Sequence, residues 1–188
     1  MARPLSEDKR NAILLAAITL VARDGLSAAT SQIAKDAGVP HGSVFTYFNT
    51  KAELINAVYL ELRTELAGTV LEGLSDVENE RDQLYQIWST WTRWGVANPC
   101  KRQALAQLGA SSQINECTRK AGYENATPVL EVIWRTCAHG ALADTPQPYI
   151  GAVVEALAST TMNFMSTSPD EAEKICQSGF EALWRALR

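Results

Sequence analysis

The stretch Thr30–Asn49, TSQIAKDAGVPHGSVFTYFN, decides how the rest of the chain is read. It carries helical spacing on both sides of a break at Gly38-Val39-Pro40. Ile33, Ala34 and Ala37 make one apolar side before the break, and Val44, Phe45 and Phe48 make one after it. Helices of two turns are marginal alone, so each must bury that side against a partner. Ala34 is small where the two helices approach, and Gly38 permits the positive φ of a sharp turn. Val39 fills the corner, and Pro40 suits the first turn of the next helix. The spacing predicts short helices over 30–37 and 41–48 joined as a helix-turn-helix, whose second helix enters a DNA major groove.

Outward from this stretch the pattern stays helical. Ser6 is a good N-cap, Glu7 and Asp8 complement the N-terminal dipole, and Gly25 is a natural stop. That predicts a first helix that begins after Ser6 and ends at Asp24-Gly25. A long helix is expected from Lys51 towards Leu74, with Leu54, Ile55, Val58, Leu62 and Leu66 on one face. Others are expected over 79–97, 100–108, 112–139, 147–166 and 169–187. Gly122 and Pro128 make the 112–139 stretch either kinked or two helices. Gly140 to Pro148 reads as a loop. No alternating run bounded by hairpin signals appears, so the expected fold is all-α.

The run Ala12–Ala22 (AILLAAITLVA) after Lys9 and Arg10 resembles the apolar core of a signal peptide. Glu7 and Asp8 spoil the basic leader, and Ile13, Leu14, Ala17, Leu20 and Val21 keep helical spacing. It is read as a helix of the folded protein, with a cytoplasmic location. No run reaches the ~18 apolar residues of a membrane span.

Composition adds exclusions. The 188 residues are 46% hydrophobic and 20% charged, which suits a soluble globular chain that needs no staples. The net charge of −4 argues against a nucleic-acid partner as an average. Split after Lys51, however, the first part holds six basic and four acidic residues, or +2, and the remainder is −6. Cys100, Cys117, Cys137 and Cys176 contain no CxxC pair, which excludes a zinc ribbon or thioredoxin-type site and favours reduced thiols. With only His41 and His139, no metal site is expected, and no cofactor. No nucleophile–base pair, HExxH, P-loop or paired-carboxylate motif appears, so an enzyme is not expected.

Positions 12–62 resemble the N-terminal DNA-binding domain of the TetR (tetracycline-repressor) family of bacterial regulators. The family's helix, glycine and "IA..AGV..GS.Y.YF..K..L" pattern stands here as Gly25 followed by IAKDAGVPHGSVFTYFNTKAEL. The resemblance implies a DNA-binding domain over 1–51 and a helical effector-binding and dimerisation domain over 52–188. It places His41, Gly42 and Ser43 at the exposed start of the recognition helix, where base edges are read. It places Tyr47 and Lys51 on the DNA backbone, and Thr30 and Ser31 on further backbone or base contacts. Phe45 is counted with these DNA-binding residues, although it stands where the family usually has tyrosine, so a hydroxyl contact is missing. Its residue type makes Phe45, like Phe48, a core candidate. Ala29 replaces a frequent threonine, and the loop from Gly25 to Ile33 is one residue short.

For the remainder, the resemblance implies a four-helix dimer interface from the last two helices. Val154, Leu157 and Thr161 represent one helix, and Ile175, Phe180, Leu183 and Trp184 the other. Between the two ends lies an aromatic middle, with Trp88, Trp91 and Trp94 three apart. The effector pocket is expected to use Trp88, Trp91, Asn98, Tyr123, Trp134, Cys137 and Met162, with His139 as a polar candidate. Tryptophans at helical spacing also fit plain core packing. The function implied is a ligand-responsive regulator, a repressor, that binds a palindromic operator as a homodimer and is released by a small molecule. In that scheme the helix beginning near Lys51 shifts the spacing of two recognition helices away from the ~34–36 Å groove repeat. The competing readings are a DNA-binding protein without ligand control and an all-α small-molecule enzyme or carrier. Thiol sensing through Cys100 or Cys117 is a minor variant of the first scheme.

Overall fold

A computed structural model describes residues 6–72, 74, 79–138 and 140–188, and among these all regular structure is helical. The helices are α1 (Glu7–Asp24), α2 (Thr30–Asp36), α3 (His41–Tyr47), α4 (Lys51–Leu71) and α5 (Glu80–Ala97). They continue with α6 (Pro99–Gly109), α7 (Glu116–Glu124), α8 (Thr127–Cys137), α9 (Gln147–Thr167) and α10 (Ala172–Leu187). The all-α expectation holds, and most boundaries fall within two or three residues of those read from the pattern.

The differences have local causes. Ser6 occupies the N-cap of α1, but its hydroxyl makes no capping bond. Pro40 lies just before α3 in extended conformation, at φ −56° and ψ 141°, so His41 is the first helical residue. The 112–139 stretch is two helices. Asn115 caps α7 by accepting from the Thr118 N–H, and Pro128 takes the first turn of α8, where its missing N–H costs nothing. For the same reason α9 begins at Gln147 and includes Pro148, shortening the expected loop.

The helices pack into two compact units. The first comprises Met1–Thr64 and Pro99–Asn125; the second comprises Glu65–Asn98 and Ala126–Arg188. The first unit closes on one apolar core. Ile13, Leu20 and Val21 from α1 meet Ile33 and Ala34 from α2, Val44 from α3 and Phe48 just after it. Leu54, Ile55, Val58 and Leu62 from α4 complete it with Ala104 and Leu108 from α6. Each such Val, Leu, Ile or Phe side chain, fully buried, contributes roughly 1.5–3 kcal/mol. Polar links tie segment 99–125 into this unit. Gln107 Nε2 donates to the Ala22 carbonyl at 3.1 Å, near the end of α1. Buried Asn56 donates to the Gln113 carbonyl at 3.0 Å and accepts from the Asn115 N–H at 3.0 Å.

The second unit packs α5, α8, α9 and α10. Trp88 is buried at its centre, and its indole N–H donates to the Cys176 carbonyl at 3.0 Å. A Cβ at Gly179 would overlap Thr161 Oγ1 and lie 2.8 Å from Trp88 Cζ2, so glycine is what lets α10 come this close. At the surface of this unit, Arg93 donates twice to the Glu173 carboxylate, at 3.0 and 2.9 Å. No helix among the described residues is long and apolar enough to cross a membrane.

Candidate nucleic-acid interface

The site is built by α2 and α3, seven residues each. Their inner sides carry Ile33, Ala34, Val44 and, just beyond α3, Phe48, all buried. Between them Gly38 adopts φ +66°, and nothing approaches within 4 Å of where its Cβ would be. Glycine is required here by backbone conformation, not by crowding. The turn is closed by Gly38 N–H to the Lys35 carbonyl at 3.1 Å and Val39 N–H to the Ala34 carbonyl at 3.0 Å.

The outer side is exposed. Ser31, His41 and Gly42 face solvent, while Thr30 and Ser43 are half-buried. Phe45 is 41% exposed and Phe48 3% exposed, so the core expectation holds for Phe48 and fails for Phe45. The reason is that Val44 takes the inner side of α3 and its neighbour Phe45 is turned away from it, while Phe48 follows the helix end in extended backbone and so does not keep Phe45's side. Phe45 instead stands against His41, ring centroids 5.4 Å apart and planes at 75°. On its other side His41 Nε2 lies 3.1 Å from Thr30 Oγ1.

Tyr47 and Lys51 are half-buried. The Tyr47 hydroxyl accepts from the Ser6 N–H at 3.1 Å, which ties the start of α1 to the end of α3. Its own proton stays available to an acceptor such as phosphate. Lys51 opens α4 inside a firm cap. Thr50 Oγ1 accepts from the Glu53 N–H at 3.1 Å, and Glu53 Oε2 accepts from the Asn49 N–H at 2.9 Å. Two contacts were beyond sequence reasoning. Thr30–His41 and Ser6–Tyr47 join residues 11 and 41 positions apart, and no periodicity signals either.

The nearby charges are not equivalent. Arg23 pairs with Asp24 at 2.7 Å, which raises the guanidinium pKa and lowers the carboxyl pKa through their mutual hydrogen bond. The Arg10 guanidinium lies 5.7 Å from the Phe48 ring centroid. Lys35 is exposed on α2.

The expected pocket residues scatter. Trp88, Cys137 and Met162 are buried in the second unit, whereas Trp91, Asn98 and Trp134 are half-buried there. Burial pushes the Cys137 thiol pKa up, so it is protonated at neutral pH. Asn98 spends its side-chain amide on the Trp94 carbonyl at the end of α5. Tyr123 belongs to the first unit, where it is exposed beside the Arg63 guanidinium. His139 lies outside the described residues. Cys100 and Cys117 are exposed, and Cys176 is buried. Among the described residues no three His, Cys, Asp or Glu side chains gather as a metal site.

The expected dimer residues divide in a similar way. Val154, Thr161, Phe180 and Leu183 are buried within their own unit. Leu157, Ile175 and Trp184 are half-buried, and Trp184 lies beneath the Arg81 and Arg188 guanidinium groups. Leu157 and Ile175 line an open groove of about 350 Å³ between α9 and α10, together with Phe164, Lys174, Ser178 and Ala182. Phe164 is 60% exposed.

Fold and site together define a helix-turn-helix DNA-binding protein with a second helical bundle. Residues 13–58 match the model of the bacterial regulatory proteins, tetR family. A chain from Shewanella sp. PV-4, assigned to the tetR family of transcription regulators, is similar at TM-score 0.83 and 23% identity, over 95% of this chain and 97% of that one. A TetR-family transcription regulator from Marinobacter aquaeolei VT8 is similar at TM-score 0.79 and 20% identity, over 96% and 95%. The regulator FadR from Bacillus subtilis, solved with stearoyl-CoA, is similar at TM-score 0.70 and 16% identity, over 95% and 100%. Residues 13–58 thus carry the tetR-family DNA-binding module, and the chain as a whole has the fold of the TetR-family regulators to which it is similar.

Proposed function

We propose that the protein is a ligand-responsive repressor that binds a palindromic operator as a homodimer and is released by a small-molecule effector in the cytoplasm. The observation that carries the reading is the exposed start of α3, with His41 and Gly42 turned to solvent on a helix whose other side is locked in the core. In this reading residues 1–51 bind DNA and residues 52–188 hold the effector and the partner. Ser31, His41, Ser43 and Phe45 face the bases, and Tyr47 and Lys51 face phosphate.

The proposed partner surface is the groove between α9 and α10. Its exposed Phe164, with Leu157 and Ile175, offers an apolar patch that a symmetric second copy would cover. Control by a ligand draws support from the fold's occurrence in FadR with stearoyl-CoA. Within the second unit, half-buried Trp91, Asn98 and Trp134 have surface left for a ligand. Helix α4 gives such a signal a route, because its residues to Thr64 belong to the first unit and those from Glu65 to the second. A second reading, DNA binding without a ligand, is favoured by the complete burial of Trp88, Cys137 and Met162 as ordinary core.

The test is a gel shift against the DNA upstream of the protein's own gene, across a salt series, with sedimentation of the complex. Specific, salt-sensitive binding by a dimer is expected. Lys51→Ala should weaken specific and random DNA by a similar few-fold factor and flatten the salt slope by about one. Absence of specific binding, or a monomer on DNA, sinks the proposal. Failure of a broad panel of apolar small molecules to alter the shift selects the reading without a ligand.

A further inference from the structure

An imidazole at the exposed first residue of a helix should rotate freely, yet His41 is held on two sides. Thr30 Oγ1, from α2, stands 3.1 Å from Nε2. The Phe45 ring, one helical turn further along α3, meets the imidazole at 5.4 Å and 75°, an edge-to-face contact. Gly42 next to it lies in open space, where a Cβ would meet nothing within 4 Å. Phe45 is 41% exposed, so burial of its own ring does not account for its placement.

We propose that Thr30 is a positioning residue rather than a DNA contact: its hydroxyl clamps His41 through Nε2, so that Nδ1 alone addresses a base edge. The inference rests on the reading of α3 as the recognition helix. The Thr30 hydroxyl can donate to Nε2 or accept from it, so the contact does not choose a tautomer; it chooses the direction of the ring. With Nε2 turned to Thr30, Nδ1 is the nitrogen left to reach the major groove, from one position and along one line. There each base pair shows its own order of donors and acceptors. A free ring could flip and offer either nitrogen from several positions, and so accept several bases. The held ring offers one, and the edge contact with Phe45 disfavours the flip. Thr30 acts across the turn that Gly38 makes possible, which is why the two short helices function as one reading head.

Two measurements test this on the full-length protein. The first is NMR of histidine-labelled protein without DNA, read as cross-relaxation between the His41 ring protons and those of Thr30 and Phe45. The expected result is one ring orientation in the wild type and in Thr30→Ser, and averaged orientations in Thr30→Val and Thr30→Ala. The second is selection from randomised operators at constant salt. The wild type and Thr30→Ser should prefer one base at one position per half-site by about tenfold. Thr30→Val and Thr30→Ala should reduce that preference to about twofold, with unchanged affinity for random DNA. The double variant with His41→Ala should be no more relaxed than His41→Ala alone. The proposal is overturned if the Thr30 variants weaken all sequences equally with the preference intact, because that is the signature of a phosphate contact. It is also overturned if the orientation of the His41 ring ignores Thr30. A fixed ring in a protein that selects no operator would instead overturn the reading of α3 as the recognition helix.

Discussion

The aromatic side chains around α3 in the first unit and those around α5 in the second are placed differently. In the first, Phe45 faces solvent against His41, while Phe48 three residues later is core. In the second, Trp88, Trp94 and Phe180 are all buried, and both indoles donate, to the Cys176 carbonyl and the Glu65 carboxylate respectively. The same signal in sequence, large aromatics at helical spacing, therefore has two meanings. Helix length separates them. Helix α3 has seven residues and needs one narrow stripe for its core, which leaves its other positions to function. Helix α5 has eighteen residues and packs against α8, α9 and α10, so much of its circumference is covered. An exposed aromatic on a two-turn helix is one the narrow core stripe leaves free; a tryptophan on a surrounded helix is packed.

That contrast can be broken experimentally, and the largest effect belongs to the second unit. Trp88→Ala should cost about 3–5 kcal/mol and lower the melting temperature by on the order of 10 °C. A loss under 1 kcal/mol would mean Trp88 is not packed as described. In the first unit, Gly38→Val should cost about 1–2 kcal/mol through left-handed strain alone, and Gly38→Asn clearly less. Equal losses in the two variants, measured by urea unfolding, would point to crowding, which the open space around Gly38 argues against.

A smaller effect tests the surface tie between α5 and α10. The Arg93 guanidinium holds the Glu173 carboxyl below its usual pKa, chiefly by hydrogen bonding. A lowered folded pKa means stabilisation that is present above the unfolded carboxyl value and lost as pH falls through the folded one. Both side chains are more than half exposed, so screening limits the pair to a few tenths of a kcal/mol. Thermal melts of Glu173→Gln and wild type should differ slightly at pH 7 and converge below about pH 4. A gap that widens in acid would have the sign wrong. The smallest change in stability belongs to Phe45→Ala, within about 0.5 kcal/mol of wild type. Its effect should appear in operator preference, and a large loss of stability with unchanged DNA binding would remove the contrast between the two regions.

Much of this was legible before any coordinates. The stripe of Ile33, Ala34, Val44 and Phe48 with Gly38 between is local information, because a two-turn helix and a positive-φ turn are decided by neighbours in the chain. Pro128 marked a break in the 112–139 stretch for the same reason, though the pattern allows a kink as well as the division between α7 and α8. The reach of such signals ends with the helix that carries them. Periodicity placed Val154, Thr161, Phe180 and Leu183 on apolar stripes, but it could not say that their own unit covers them. It grouped Tyr123 with Trp134, yet these residues belong to different units.

By itself, then, the order of residues determined an all-α chain and a helix-turn-helix with α3 as its outward helix. Spacing, capping and glycine conformation act over a few residues and need no distant partner. Only the tertiary structure decided that Phe45 is exposed, that Thr30 holds His41, that Tyr47 accepts from Ser6 and that segment 99–125 packs with the DNA-binding helices. Each of these joins side chains whose separation along the chain carries no periodic signature. Such contacts exist only once the packed core has brought their backbones within reach.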